Sequence, residues 1–222
     1  AMDEDELLSL AIDPNQAAGA ETAAALETLS GAMEGHTAIF DFDDTMKMLN
    51  YYGMPYVAED ATEVVALTQL MGANIGVASA SRADDWMRDF CEDRVAPGIF
   101  TKDLLESDRV WSGSDNKEPM LNAILDSYDA DPDKAILFDD STKNKEYTDA
   151  AGVEFNRVDK QTGVKTEDLR GWVERSLAEQ HSAAPTEEAV DAVLDEALEQ
   201  ASGDVSSDDL SFDSGVGYAG TI

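Results

Sequence analysis

Thr37-Ala38-Ile39-Phe40-Asp41-Phe42-Asp43-Asp44-Thr45 is the stretch from which the rest of the chain can be read. A short apolar, β-prone run ends abruptly in two carboxylates spaced i, i+2, followed by a hydroxyl. On a strand over residues 37–42, that spacing puts Asp41 and Asp43 on one side of the pleat. Just past the strand end both can converge on one point. Two anions held so close repel, so they persist only with a compensation such as a metal, a shared proton or a catalytic role. A strand followed by an acidic turn is the plain alternative, and these nine residues leave the two readings level.

The later stretches separate them. Ala135-Ile136-Leu137-Phe138-Asp139-Asp140 repeats the same logic, an apolar run ending in adjacent carboxylates. Residues 74–78 form another short apolar strand, closed by Ser79-Ala80-Ser81-Arg82. Helical periodicity covers 58–71, 84–94, 116–128, 143–151 and 166–178, with Trp86, Met87 and Phe90 as the buried face of the second. Lys117 stands at the start of the third. Further strands are expected near Ile99-Phe100 and over 153–157, and residues 46–57 read as a loop rich in Met and Tyr. Strands alternating with helices at this spacing predict an α/β fold: a Rossmann-like parallel sheet with helices on both faces. In such a sheet ligands bind beyond the carboxyl ends of the strands, where Asp41, Asp43, Ser79, Asp139 and Asp140 would all lie.

Charge divides the chain. The whole carries 48 Asp and Glu against 15 Lys and Arg, a net −33, which disfavours non-specific binding to nucleic acid or anionic lipid. Residues 1–35 and 176–222 hold no Lys or Arg, so all the basic residues fall between them. The expected organisation is an acidic N-terminal arm over 1–35 with an Ala-rich helix, a domain over 36–178, and an acidic extension over 179–222. That extension divides into an amphipathic helix at 185–201 and a tail at 202–222. High-salt adaptation accounts for the acidity equally well. Cys91 is the single cysteine and His36 and His181 the only histidines, which excludes an internal disulfide and disfavours a zinc site of ordinary ligands. No run reaches membrane-spanning length and the start is acidic, so a cytoplasmic protein is expected, or a component of a larger particle such as a virion.

With four strand or helix ends supplying matching groups, a family comes into view. Asp41-Phe-Asp43-Asp-Thr45 resembles the first motif of the haloacid dehalogenase superfamily, Val77-Ala-Ser79 the second, Lys117 the third and Phe138-Asp139-Asp140 the fourth. The resemblance spans roughly 36–175 and is nearest to capless phosphatases of the magnesium-dependent phosphatase-1 branch. It implies a phosphomonoesterase in which Asp41 is the nucleophile and forms an aspartyl phosphate. Asp43 would be its general acid and base. Ser79 and Lys117 would stabilise the transferring phosphoryl group. Ser81-Arg82 departs from the family's commonest spacing, so Ser81 competes with Ser79, and the position directly after the strand favours Ser79.

The implied metal is Mg²⁺, held by Asp41, Asp139 and the Asp43 backbone carbonyl. Asp140 is then an outer support, Asn144 orients its loop and Thr45 caps the turn. The gaps after the first strand and after Ser79 are too short for a large cap domain. An open site would accept a small phosphate monoester or a macromolecular phosphate, and a 5′-nucleotidase or a nucleic-acid-end phosphatase is a related alternative. Arg82, Arg88, Lys102, Lys143 and Lys145 could rim such a site, though balancing nearby acids is the simpler expectation. The competing class is a binding or assembly protein that keeps this fold and docks on a larger particle through its acidic arms, which would then have a protein partner.

Overall fold

The computed structural model describes residues 30–182. The expected arm helix, the amphipathic helix at 185–201 and the tail at 202–222 lie outside the described residues. Five strands form one sheet: β1 (Thr37–Phe40), β4 (Asn74–Ala78), β5 (Val110–Trp111), β6 (Ala135–Asp139) and β7 (Glu154–Arg157). Their spatial order is β5-β4-β1-β6-β7, and every pairing is parallel. β2 (Lys47–Leu49) and β3 (Pro55–Val57) make a separate antiparallel pair. The helices are α1 (Ala61–Leu70), α2 (Asp84–Phe90), α3 (Lys102–Leu105), α4 (Glu118–Tyr128), α5 (Lys145–Ala151) and α6 (Thr166–Ser182).

The central strands are buried on both faces, as a parallel sheet covered by helices requires. Alternate residues part company accordingly. Ala38, Phe40, Val77, Ile136 and Phe138 join a core with Val64, Val65, Met87, Leu169 and Trp172. Ile39, Ala78 and Leu137 join a second core with Met120, Leu121, Ile124 and Leu125 of α4. Phe40 and Phe138, facing residues of β1 and β6, stack with ring centroids 5.2 Å apart. Gly76 lets α4 lie close on β4, since a Cβ there would come within 2.7 Å of Ile124 Cγ2. The order reverses at β1: the chain builds outward through β4 and β5, then returns to place β6 on the other side. The crevice at such a reversal is where an open α/β sheet binds ligands, and it opens beside Asp41 and Asp139.

Four expectations need correction. β1 stops at Phe40, so Asp41 and Asp43 sit on the turn beyond it instead of sharing one face of a strand. Residues 46–57 are mostly the β2–β3 hairpin, whose turn is tied by the Asn50 side chain accepting from the Tyr52 and Met54 amides at 2.9 and 3.0 Å. Ile99-Phe100 lies in a turn, and the strand of that region is β5, held to β4 by backbone bonds such as Val77 N–H to Arg109 C=O at 3.0 Å. Trp86 is 42% exposed, covering the edge of Phe42 rather than filling the core with Met87 and Phe90. No helix among the described residues is long and apolar enough to cross a membrane.

Candidate active site

At the carboxyl ends of β1 and β6 a cleft of about 630 Å³ opens, with Asp41, Lys117 and Asp139 among its lining residues. Asp139 is the last residue of β6, fully buried, and three donors converge on it. Lys117 Nζ meets Oδ2, Asn144 Nδ2 donates to the same oxygen at 2.7 Å, and the Ser141 amide donates to Oδ1 at 2.8 Å. Asp41 follows β1 by one residue, 6% exposed, and its Oδ1 accepts from Lys117 Nζ at 2.6 Å. Lys117 caps the start of α4, almost wholly buried, with its ammonium shared by the two carboxylates. The sheet thus brings together residues 41, 117 and 139 as the sequence led one to expect.

Electrostatics follow from this crowding. Burial pushes the Asp41 carboxyl up to about 7, against the pull of Lys117, and the neighbouring Asp139 adds to the rise. Burial opposes charge on Lys117, but the two carboxylates outweigh it and hold the ammonium above its ordinary range. Burial raises Asp140 as well, helped by the charges of Asp139 and Asp44. Asp41, Asp139 and Asp140 each offer an oxygen within 4.8 Å of the others. Three carboxylates around one ammonium leave an excess of anionic oxygens, a donor set that fits a hard divalent cation. Asp140, expected as an outer support, offers a carboxylate oxygen to the same point as Asp41 and Asp139.

The remaining expected residues are distributed around this cluster. Asp43 lines the cleft, its side chain 47% exposed and ion-paired to Lys47. Asn144 bonds Asp139 directly, in keeping with an orienting role. Ser79 lies directly after β4 but is fully buried; its hydroxyl accepts from the Ser81 amide at 3.1 Å, and Ala80, not either serine, lines the cleft. Thr45 does not cap its turn: its buried hydroxyl has no hydrogen-bond partner among the described residues. The turn is held by backbone instead, with the Met46 and Lys47 amides both donating to Phe42 C=O and the Asp44 amide to Lys47 C=O. Arg88, Lys102 and Lys145 pair with Asp84, Glu106 and Asp149, so they balance local acids. Lys143 does reach the cleft.

Two contributions were missed by sequence reasoning. Lys47 stands inside the Met46-Lys47-Met48-Leu49 run and is nearly buried; a lysine in an apolar run, four residues after Asp43, was the available signal. Asp115, Glu146 and Tyr147 also line the outer cleft, and nothing in their local sequence distinguishes them from surface residues.

No protein-family model matches the chain, and no curated protein matches it. Solved structures do. An uncharacterized protein from Listeria monocytogenes serotype 4b is similar at 11% identity over 66% of this chain and 99% of its own, with a TM-score of 0.51. The cobalt-bound deoxy-D-mannose-octulosonate 8-phosphate phosphatase from Haemophilus influenzae is similar at 11% identity over 70% and 96%, TM-score 0.48. The 3-deoxy-D-manno-octulosonate 8-phosphate phosphatase from Yersinia pestis is similar at 10% identity over 67% and 83%, TM-score 0.44. At such identities the likeness is one of fold, and the Listeria structure carries it: an α/β core around a five-stranded parallel sheet.

Proposed function

We propose that this protein is a Mg²⁺-dependent phosphomonoesterase with Asp41 as nucleophile. The observation that carries the reading is the buried Lys117 ammonium shared by Asp41 and Asp139 at the mouth of the sheet crevice. That arrangement fixes one oxygen of Asp41 while the residue still lines the cleft. The Asp41 carboxylate attacks phosphorus as the ester P–O bond breaks, and the ester oxygen takes the departing electron pair and a proton from Asp43. Water then attacks the aspartyl phosphate and gives its proton to Asp43, releasing inorganic phosphate and restoring Asp41. Lys117 offsets charge on the phosphoryl oxygens throughout. Asp41, Asp139 and Asp140, with the Asp43 carbonyl, would hold Mg²⁺, which supplies charge compensation for an anionic ester meeting an anionic nucleophile.

The only insertion between β1 and α1 is the short hairpin, which supports a capless site open to small or macromolecular phosphates. Phosphate release from 4-nitrophenyl phosphate with and without Mg²⁺ tests the reading. Metal-dependent turnover that Asp41→Asn lowers by about 10³-fold or more is expected. Absence of turnover in the unaltered protein on aryl, alkyl and nucleotide phosphates would overturn it in favour of a binding role.

A further inference from the structure

Lys47 is the second buried lysine of the site region, and the mechanism above does not use it. Its side chain is 8% exposed and its ammonium is ion-paired to Asp43 Oδ1. The backbone it springs from is fixed on both sides: the Lys47 amide donates to Phe42 C=O at 2.9 Å and its carbonyl accepts from the Asp44 amide at 2.8 Å. The ammonium also lies 5.6 Å from the centroid of the fully buried Phe42 ring. A lysine head is ordinarily free to follow solvent; here the backbone and the ring remove that freedom.

What this does for Asp43 follows from its neighbours. Asp41, Asp43 and Asp44 fall within four residues, and Asp44 is turned into the left-handed region at φ 56°. With its side chain about half exposed, Asp43 would be driven by the adjacent like charges out into water. Lys47 opposes that drift from the buried side. Asp41 and Asp43 are thus served by two different lysines, Asp41 by Lys117 and Asp43 by Lys47.

We infer that Lys47 is a positioning residue whose buried ammonium holds Oδ1 of the Asp43 carboxyl group at the cleft, leaving Oδ2 to carry the proton to the leaving oxygen. The inference rests on the phosphatase reading and adds to it the residue that aims the acid. The step served is the first one: as the ester bond breaks, the oxygen gains the proton that Asp43 loses. Esters differ in how much they need that proton. A 4-nitrophenolate leaves readily without it, whereas a benzyl alkoxide does not.

The test is kcat/KM on 4-nitrophenyl phosphate and on benzyl phosphate, since this ratio reports only steps up to phosphoryl transfer. Lys47→Met should lose about 10²-fold on benzyl phosphate, the usual size of a general-acid contribution, and stay within about 3-fold on the nitrophenyl ester. Lys47→Arg, which restores the charge, should recover most of the benzyl activity. In an Asp43→Asn background Lys47→Met should change neither ratio. Equal losses on both esters would mean that Lys47 merely supports the fold, and no loss on either would make the ion pair incidental; each overturns the inference. If Lys47→Met does not fold, Lys47→Gln, which keeps a polar head without the charge, takes its place: a larger loss on benzyl phosphate than on the nitrophenyl ester is expected, and equal ratios overturn the inference. Asp43→Asn separates the two levels of argument. If it discriminates between the esters while the Lys47 variants do not, only the positioning role falls; if it does not, the phosphatase reading itself loses its acid.

Discussion

The ends of β1 and β6 look alike in sequence, Ile39-Phe40-Asp41 beside Leu137-Phe138-Asp139, and they are built to opposite purposes. Asp139 is the last residue of its strand, inaccessible, and takes donors from a lysine, an asparagine and a backbone amide. Asp41 lies one residue beyond its strand, slightly exposed, with Lys117 on one oxygen. One strand length makes the difference. A carboxylate inside the sheet edge can be surrounded by donors and becomes an anchor. One on the turn keeps an accessible oxygen and can react. The lysine between them serves both, which ties the proposed nucleophile to the anchored carboxylate.

The sharpest way to break the comparison is to exchange the two roles. Asp139→Ala should abolish turnover and also destabilise the fold by about 1–3 kcal/mol, because it leaves the Asn144 and Ser141 donors without an acceptor and Lys117 with Asp41 alone. A denaturant melt alongside the phosphate assay reads both. Asp41→Asn should abolish turnover to the same extent yet raise the melting temperature of the metal-free protein at neutral pH. It removes one of the crowded buried charges while an amide oxygen remains for Lys117; roughly 1 kcal/mol, or 2–4 °C, is expected. Equal signs on stability would erase the distinction between anchor and nucleophile.

A smaller effect belongs to Asn144→Ala. It takes one donor from Asp139 and none from Asp41, so a loss of about 1–2 kcal/mol is expected, with weaker metal-dependent stabilisation. The smallest concerns a carboxylate outside the crevice. Burial raises Asp84, but the Arg88 and Ser112 hydrogen bonds and the Arg88 charge outweigh it and hold the carboxyl below its ordinary range. Arg88 Nε donates to Oδ1 and Oδ2 at 2.9 and 3.0 Å, and Ser112 Oγ donates to Oδ1 at 2.5 Å. With the folded value below the unfolded one, this pairing adds stability above the unfolded pKa and loses it as pH falls through the folded value. Asp84→Asn, half exposed and therefore screened, should cost about 0.2–1 kcal/mol at pH 7 and nothing once the pH is below both values. Melting curves across pH 2–7 would show the two proteins converging.

The features that sequence conveyed were those fixed by short-range pattern. β4 occupies residues 74–78 as expected because Ile75-Gly76-Val77-Ala78, entered through Asn74 and bounded by Gly72 and Ser79, has no other good placement. The helix beginning beside Lys117 was legible from Met120, Leu121, Ile124 and Leu125, all of which pack on one face. What escaped depends on partners distant in the chain. β5 is two residues long and exists because β4 presents an edge to it; Val110 and Trp111 carry no pattern of their own. The hairpin over 47–57 mixes Met, Tyr and Pro without alternation, and its pairing is set by the Asn50 turn. Trp86 is apolar enough to be read as core, yet it meets Phe42 edge-on at the surface. For the site, the carboxylates and Lys117 could be named because each ends a regular element. The Asp43–Lys47 pairing and the three-fold hold on Asp139 appear only once side chains are in place.

Gly163 gives the far end of this domain a say in the first motif. Its φ is +76°, and a Cβ there would fall 2.4 Å from the Ala58 Cβ and 2.6 Å from Thr45 C=O. The next residue, Val164, donates its amide to that same Thr45 carbonyl at 2.9 Å. The turn bearing Asp43 is therefore clamped by residues more than a hundred positions downstream. As the chain leaves a ribosome, the opening motif must wait for this clamp: β1 can pair with β4 early, but the turn beyond β1 acquires its final support only after residue 164 has emerged.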